Sequence, residues 1–184
     1  NETNKNKNIF KMYLPVDEDI FFKKSKLYLA KIIKSHLKNL NSKCVVLDQS
    51  VNILNYQNIF SYFDNVKIII VTRDPRGIFN SMKTRHSAAA PGHDLKIFCK
   101  WYEFLMKKYK NYKENVGTKF KKSVLEVKFE DFVENFDKEQ NKILNFIGEK
   151  KISNKFDLSK SKYNAFKARA QLSSSEKSFI KKKL

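Results

Sequence analysis

The sequence predicts an α/β domain, a parallel sheet flanked by helices, and three observations carry that expectation. Val66 to Thr72 (VKIIIVT) is β-branched almost throughout and reads as a strand buried on both faces. Cys44-Val45-Val46-Leu47 is a shorter apolar run bounded by polar residues, and reads as a second buried strand. A helical stretch around Leu54 to Phe63 joins the two, which makes a βαβ unit with parallel strands.

The other elements follow in chain order. Residues 1–11 are polar, rich in Asn and Lys, and read as a frayed start. From Asp17 to Leu40, Phe21, Leu27, Leu29, Ile32, Ile33 and Leu37 recur near helical spacing, with lysines on the other face. Asp17, Glu18 and Asp19 stand at the end where the helix dipole favours acid. After Thr72, Asp74 is a capping residue and Pro75 suits the first helical position, so a helix is expected from there to Arg85. His86 to Gly92 reads as a loop. A long helix follows from Asp94 to Asn115, with Ile97, Trp101, Phe104, Leu105 and Tyr109 as its inner face. Ser123 to Val127 (SVLEV) reads as a third strand, followed by short helices over Glu130–Asn135 and Asp137–Ile147, the latter stopped by Gly148. The tail from Lys150 is rich in Lys and Ser, with one more helix near Ser175 to Leu184. The chain reads as a single domain, 1–184, with 1–16 and 168–184 as flexible ends.

Composition narrows the function classes. The 184 residues carry 38 Lys+Arg against 19 Asp+Glu, a net charge of +19, which favours anionic partners such as nucleotides, phosphates, sulfated glycans or nucleic acid. Lys and Asn share A/T-rich codons, so nucleotide bias is one source of the excess. The scarce arginines are more telling: Arg73, Arg76 and Arg85 fall within thirteen residues. No apolar run reaches the roughly 20 residues of a membrane span. Cys44 and Cys99 spell neither a disulfide framework nor a zinc site, which points to a reducing, cytoplasmic setting. No His, Cys and carboxylate grouping has metal-ligand spacing. With Gly77, Gly92, Gly117 and Gly148 as its only glycines, the chain holds no complete Gly-rich phosphate loop.

Chemistry concentrates in Val71-Thr72-Arg73-Asp74-Pro75-Arg76-Gly77-Ile78-Phe79-Asn80-Ser81. A strand ending at Thr72 delivers Arg73 to the carboxyl edge of the sheet, where open α/β sheets bind ligands. The helix opening at Pro75 turns its positive end to the same crevice, and Ser81 lies one turn beyond Gly77. Arg73 offers a fork of donors, Ser81 a neutral donor, and Gly77 room for close approach, which together suit a phosphate. The bland alternative for Arg73 is a salt bridge at the strand end with Asp74 or Glu130.

KIIIVTRDPRGIFNS resembles the 3′-phosphate-binding motif of sulfotransferases that use 3′-phosphoadenosine 5′-phosphosulfate (PAPS). In that family a strand delivers an Arg, Asx-Pro opens a helix, and a Ser follows eight residues after the Arg, as Arg73 and Ser81 do. Leu125-Glu126-Val127-Lys128-Phe129-Glu130-Asp131-Phe132-Val133-Glu134-Asn135, then Ile143-Leu144-Asn145-Phe146-Ile147-Gly148, is similar to the family's strand, acidic stretch and helix stop. Val45 to Gln49, and Phe156-Asp157 to Lys167, resemble bacterial polysaccharide-modifying members. The resemblance implies a P-loop NTPase-like sulfotransferase fold, PAPS as donor with no metal, and a carbohydrate or other hydroxyl-bearing acceptor.

It also implies roles and a gap. The family's P-loop-like element, which holds the 5′-phosphosulfate, has no counterpart here, so the chain is expected to be the C-terminal portion of a longer enzyme. Where many members place a catalytic His, this sequence has Asp48, the candidate base; the competing reading is that Asp48 caps the next segment or pairs with a lysine. Lys162 and Lys167 fall where the family has a basic loop for the 3′-phosphate. His36, His86 and His93 read as surface residues. Two other functions stay open: a basic nucleic-acid-binding domain, which lacks a recognisable motif, and another nucleotide-dependent transferase of the P-loop fold.

Overall fold

The computed structural model describes residues 17–48, 58–63, 65–85, 91–115, 121–150 and 156–184. The polar start 1–11, the first turn of the helix expected at Leu54 and the loop 86–90 lie outside the described residues. The chain, read from its sequence as one domain, divides into two units, Asn1–Asp48 and Gln49–Leu184.

The first unit is built on α1 (Glu18–Asn39). Asp17 caps it, its carboxylate accepting from the N–H groups of Asp19 and Ile20 at 2.9 and 3.2 Å. Asn41, in the left-handed region at φ 47°, ends it, and the Ser42 N–H donates to the Leu37 carbonyl at 3.0 Å in a Schellman closure. Leu29, Ile33 and Leu37 are half-buried as expected, but Phe21, Leu27 and Ile32 are exposed. The strand expected at Cys44–Leu47 does not form, and Val46 is 87% exposed. An apolar run becomes a strand only where a neighbour supplies the ladder, and this one pairs with no strand among the described residues.

The second unit opens with the short helix α2 (Ile59–Tyr62) and β1 (Ile68–Thr72), then α3 (Pro75–Arg85), a 3-10 turn at Pro91–His93 and α4 (Leu95–Asn115). β2 (Val124–Lys128) follows, then α5 (Phe129–Glu134), α6 (Phe136–Ile147), α7 (Leu158–Phe166), α8 (Ala168–Gln171) and α9 (Ser174–Lys183). β1 and β2 pair in parallel from Ile68↔Val124 to Thr72↔Lys128, a two-stranded sheet among the described residues. The parallel sheet is present, but β1 finds its partner downstream rather than at residues 44–47.

One face of the sheet packs Ile68, Ile70 and Val124 against Tyr109 and Met106 of α4 and Phe60 of α2. On the other face α5 and α6 pack against β2, where Val127 is 2% exposed. Its register partner Val71 is 61% exposed, so β1 is buried on one face, not on both.

A second cluster joins Phe79 of α3, Phe98 and Cys99 of α4, Ala168, Leu172 and Ile180. It shifts part of the expected inner face of α4: Tyr109 is buried and Trp101 and Leu105 are half-buried as expected, but Phe98 and Cys99 face inward while Ile97 and Phe104 are exposed. With apolar residues on nearly every side of that helix, its partners choose the buried face. Residues 168–184, read from the sequence as an end free to move, form α8 and α9, and Ile180 is 1% exposed. A capping box starts α9, Ser173 Oγ accepting from the Glu176 N–H at 3.2 Å and Glu176 accepting from the Ser173 N–H at 2.8 Å. Among the described residues no helix is long and apolar enough to cross a membrane.

Candidate functional site

Thr72 ends β1 and Pro75 begins α3, so Arg73 and Asp74 form the whole turn between strand and helix. Asp74 caps as expected: Oδ1 accepts from the Arg76 N–H at 2.8 Å, and the Asp74 carbonyl accepts from the Ile78 N–H at 3.1 Å. The same carboxylate grips the Arg76 guanidinium, whose Nε lies 2.9 and 3.0 Å from its two oxygens and whose Nη2 also donates to it. Burial pushes the Asp74 carboxyl up, but the bonds from Arg76 and the charges of Arg76 and Lys128 outweigh it and hold the group below its ordinary range. The Arg76 guanidinium is held above its own. The N-terminus of α3 is thus occupied by the chain's own carboxylate, and a further cation at this turn has to come from a side chain beside it.

Arg73 supplies such a side chain. Its guanidinium lies along α3, with Nη1 donating to Ser81 Oγ at 3.3 Å and Nη2 donating to the main-chain carbonyl of Asn164 in α7. Its Cζ sits 5.1 Å from the centre of the Phe129 ring, at the head of α5. The close approach expected at Gly77 is made by Arg73 itself: a Cβ there would stand 2.9 Å from Nε. The eight-residue spacing thus brings Arg73 and Ser81 together across one glycine. Phe132 of α5, Phe136 of α6 and Phe156, just ahead of α7, cluster with ring centres 5.2 to 5.4 Å apart.

Glu130 completes the turn from the other strand. It is 8% exposed, and its Oε1 accepts from the Asp74 N–H at 3.0 Å. Tyr102 lies close enough to feel the charges of Asp74 and Glu130, which add to burial in pushing its phenol up. Lys162 is exposed on α7, and Lys167 caps that helix, its N–H donating to the Tyr163 carbonyl at 2.9 Å. Asp48 is exposed at the end of the first unit, outside helix and strand. Phe129 and the Asn164 carbonyl were not singled out from the sequence. Phe129 follows β2 directly, as Arg73 follows β1, and that symmetry was the available signal; a main-chain acceptor leaves none.

A cavity of about 580 Å³ lies elsewhere, at the amino ends of the strands, lined by Tyr109, Lys110, Lys113, Glu114, Lys121, Val124 and Glu126. Lys113 is paired there with Glu126 at 2.6 Å. Among the described residues, no three His, Cys, Asp or Glu side chains gather as a metal site requires.

The model of the Sulfotransferase family matches residues 10–152. The chain belongs to the sulfotransferase family. No curated protein and no solved structure matches it. The sulfotransferase match spans β1, Arg73, Gly77, Ser81, β2 and Glu130, whereas Asn164, Lys162 and Lys167 lie beyond its end. Membership of the sulfotransferase family supports a transferase, and the helix-rich fold around a small parallel sheet agrees with the α/β sulfotransferase architecture.

Proposed function

We propose that the chain binds PAPS by its 3′-phosphate, held by Arg73 and Ser81, and serves sulfuryl transfer to a hydroxyl of a carbohydrate acceptor. The observation that carries this reading is the 3.3 Å meeting of Arg73 Nη1 and Ser81 Oγ at the carboxyl end of the parallel sheet, within a sulfotransferase family match. The donor set fits a phosphate: a guanidinium brings charge and planar donors, and a hydroxyl brings a neutral one. When bound, PAPS supplies an activated sulfuryl group.

The chain's own residues do the rest in this reading. Arg73 and Ser81 bind and orient the nucleotide, while Lys162 and Lys167 add positive charge for its phosphates. Asp48 accepts the proton of the acceptor hydroxyl, supported by the resemblance around residues 45–49 and by its exposed carboxylate. The lysines are spread along the sequence rather than gathered, which favours a nucleotide over nucleic acid as the anionic partner.

Calorimetric titration with adenosine 3′,5′-bisphosphate tests the reading. A hydrogen bond to a charged group is worth about 1.5–3 kcal/mol, so Arg73→Ala should weaken binding about tenfold to a hundredfold. Equal affinity of parent and variant overturns the assignment. Retention on DNA that falls steeply with salt and ignores the bisphosphate favours a nucleic-acid-binding domain instead.

A further inference from the structure

We infer that Glu130 is a positioning residue that sets Arg73 for its anion, an inference that rests on the 3′-phosphate reading above. The two strand ends are tied by two contacts one residue apart. Arg73 stacks on Phe129, and the next residue of each strand end pairs in turn, the Asp74 N–H donating to Glu130 Oε1 at 3.0 Å. The main-chain bond fixes Asp74, and through one peptide it fixes where Arg73 leaves the strand. The Phe129 ring, one peptide before Glu130, is thereby held under the guanidinium.

Holding the Asp74 N–H needs an acceptor, and a solvated loop finds one in water. Here the acceptor is a side chain that is 8% exposed, and its second oxygen, Oε2, is buried without a hydrogen-bond partner among the described residues. Burying a carboxyl group under those terms is costly. Its placement beside the N-terminus of α3, with its charge acting on Arg76, offsets part of that cost. Arg76 is thereby drawn to Asp74 and Glu130, and Arg73 is the guanidinium that faces Ser81. A group acting through another residue shows itself by losing its effect once that residue is gone.

A double-mutant cycle decides the matter, with adenosine 3′,5′-bisphosphate titrated into the full chain and thermal unfolding followed in parallel. Glu130→Gln keeps the acceptor and should bind within threefold of the parent. Glu130→Met removes the acceptor at similar size and should weaken binding tenfold or more. In an Arg73→Ala background, the same Glu130→Met change should alter binding by less than twofold. Three results overturn the inference: parental affinity in Glu130→Met, an equal loss in Glu130→Gln, or the full loss persisting without Arg73. If Arg73→Ala alone changes nothing, the 3′-phosphate reading fails, and this inference with it. If Glu130→Met does not fold, Glu130→Asp takes its place, keeping the charge but withdrawing the acceptor. A tenfold loss that Gln avoids then supports the role, and parental affinity overturns it.

Discussion

Arg73 donates through Nη2 to the main-chain carbonyl of Asn164, 91 residues further along the chain, while Nη1 donates to the Ser81 hydroxyl. One planar side chain thus bridges α3 and α7, which an ammonium, a single point of charge, does not reproduce.

Substitutions should follow that geometry. Asn164→Ala leaves the carbonyl in place and should keep bisphosphate affinity within about twofold. Arg73→Lys keeps the charge but loses the fork, and should weaken binding about tenfold. Titration calorimetry on the two variants checks both.

Gly77→Ala should separate binding from folding. Its Cβ would stand 2.9 Å from Arg73 Nε, the far part of a flexible side chain, so the guanidinium moves and the helix does not. Replacing Gly by Ala inside a helix also gains about 0.5–1 kcal/mol. The expected result is weaker binding of the bisphosphate with an unchanged or raised melting temperature.

Gly92 is the opposite case. A Cβ there would lie 2.5 Å from Met82 Cβ and 2.6 Å from its carbonyl carbon, so main chain must shift. Gly92→Ala should cost about 1–3 kcal/mol, the range of overpacked sites. At Gly148 a Cβ would meet only Lys67 Nζ, at an ordinary 4.0 Å, but φ is 81°, and Gly148→Ala should cost about 1–2 kcal/mol from the left-handed backbone alone. Urea midpoints rank the two, and Gly148→Asn should recover part of its loss.

The Asp74–Arg76 pair predicts a stability change in acid. The Asp74 carboxyl titrates below its ordinary range in the folded chain, so its contribution is present above the unfolded pKa and is lost as pH falls through the folded one. Asp74→Asn keeps the cap but not the charge. The parent should be the more stable near pH 6, by under about 1 kcal/mol for a partly exposed pair, and the gap should close as pH falls below the ordinary carboxylate range. Denaturant unfolding at the two extremes reads it.

The thiols should divide by burial. Cys44 is exposed, whereas Cys99 lies in the core between α3 and α4, where burial pushes its thiol up. A disulfide reagent should consume one thiol per chain quickly and the second only on unfolding. Two fast thiols would contradict the packing of α4.

How far the sequence could be read depended on the range of the contact. Asp17, Pro75 and Gly148 marked helix ends correctly because capping is decided within a turn. β1, β2 and the Arg73–Ser81 spacing were legible for the same reason. Strand pairing was not: residues 44–47 and 124–128 both read as strands, and only the latter pairs with β1 among the described residues. One edge of the inner face of α4 was misplaced because Ile97 and Phe98 are equally apolar, and Phe79 and Ile180, far away in sequence, select Phe98. Glu130 stood in the sequence at a helix start, within the acidic stretch of the resemblance, and as a possible salt-bridge partner of Arg73. Its bond to the Asp74 N–H is a main-chain contact across 56 residues, which no local pattern encodes.

The partners of this one turn stand at sequence separations of 8, 56 and 91 residues. A chain emerging from the ribosome therefore holds Arg73 and Ser81 long before it holds Glu130, and Glu130 before Asn164. Loop closure over such spans is slow compared with forming a helix. The turn that holds Arg73 is then among the last parts of the unit to close, and any ligand that requires it selects chains that have finished folding. Added bisphosphate should accordingly stabilise the whole second unit rather than its first strand alone.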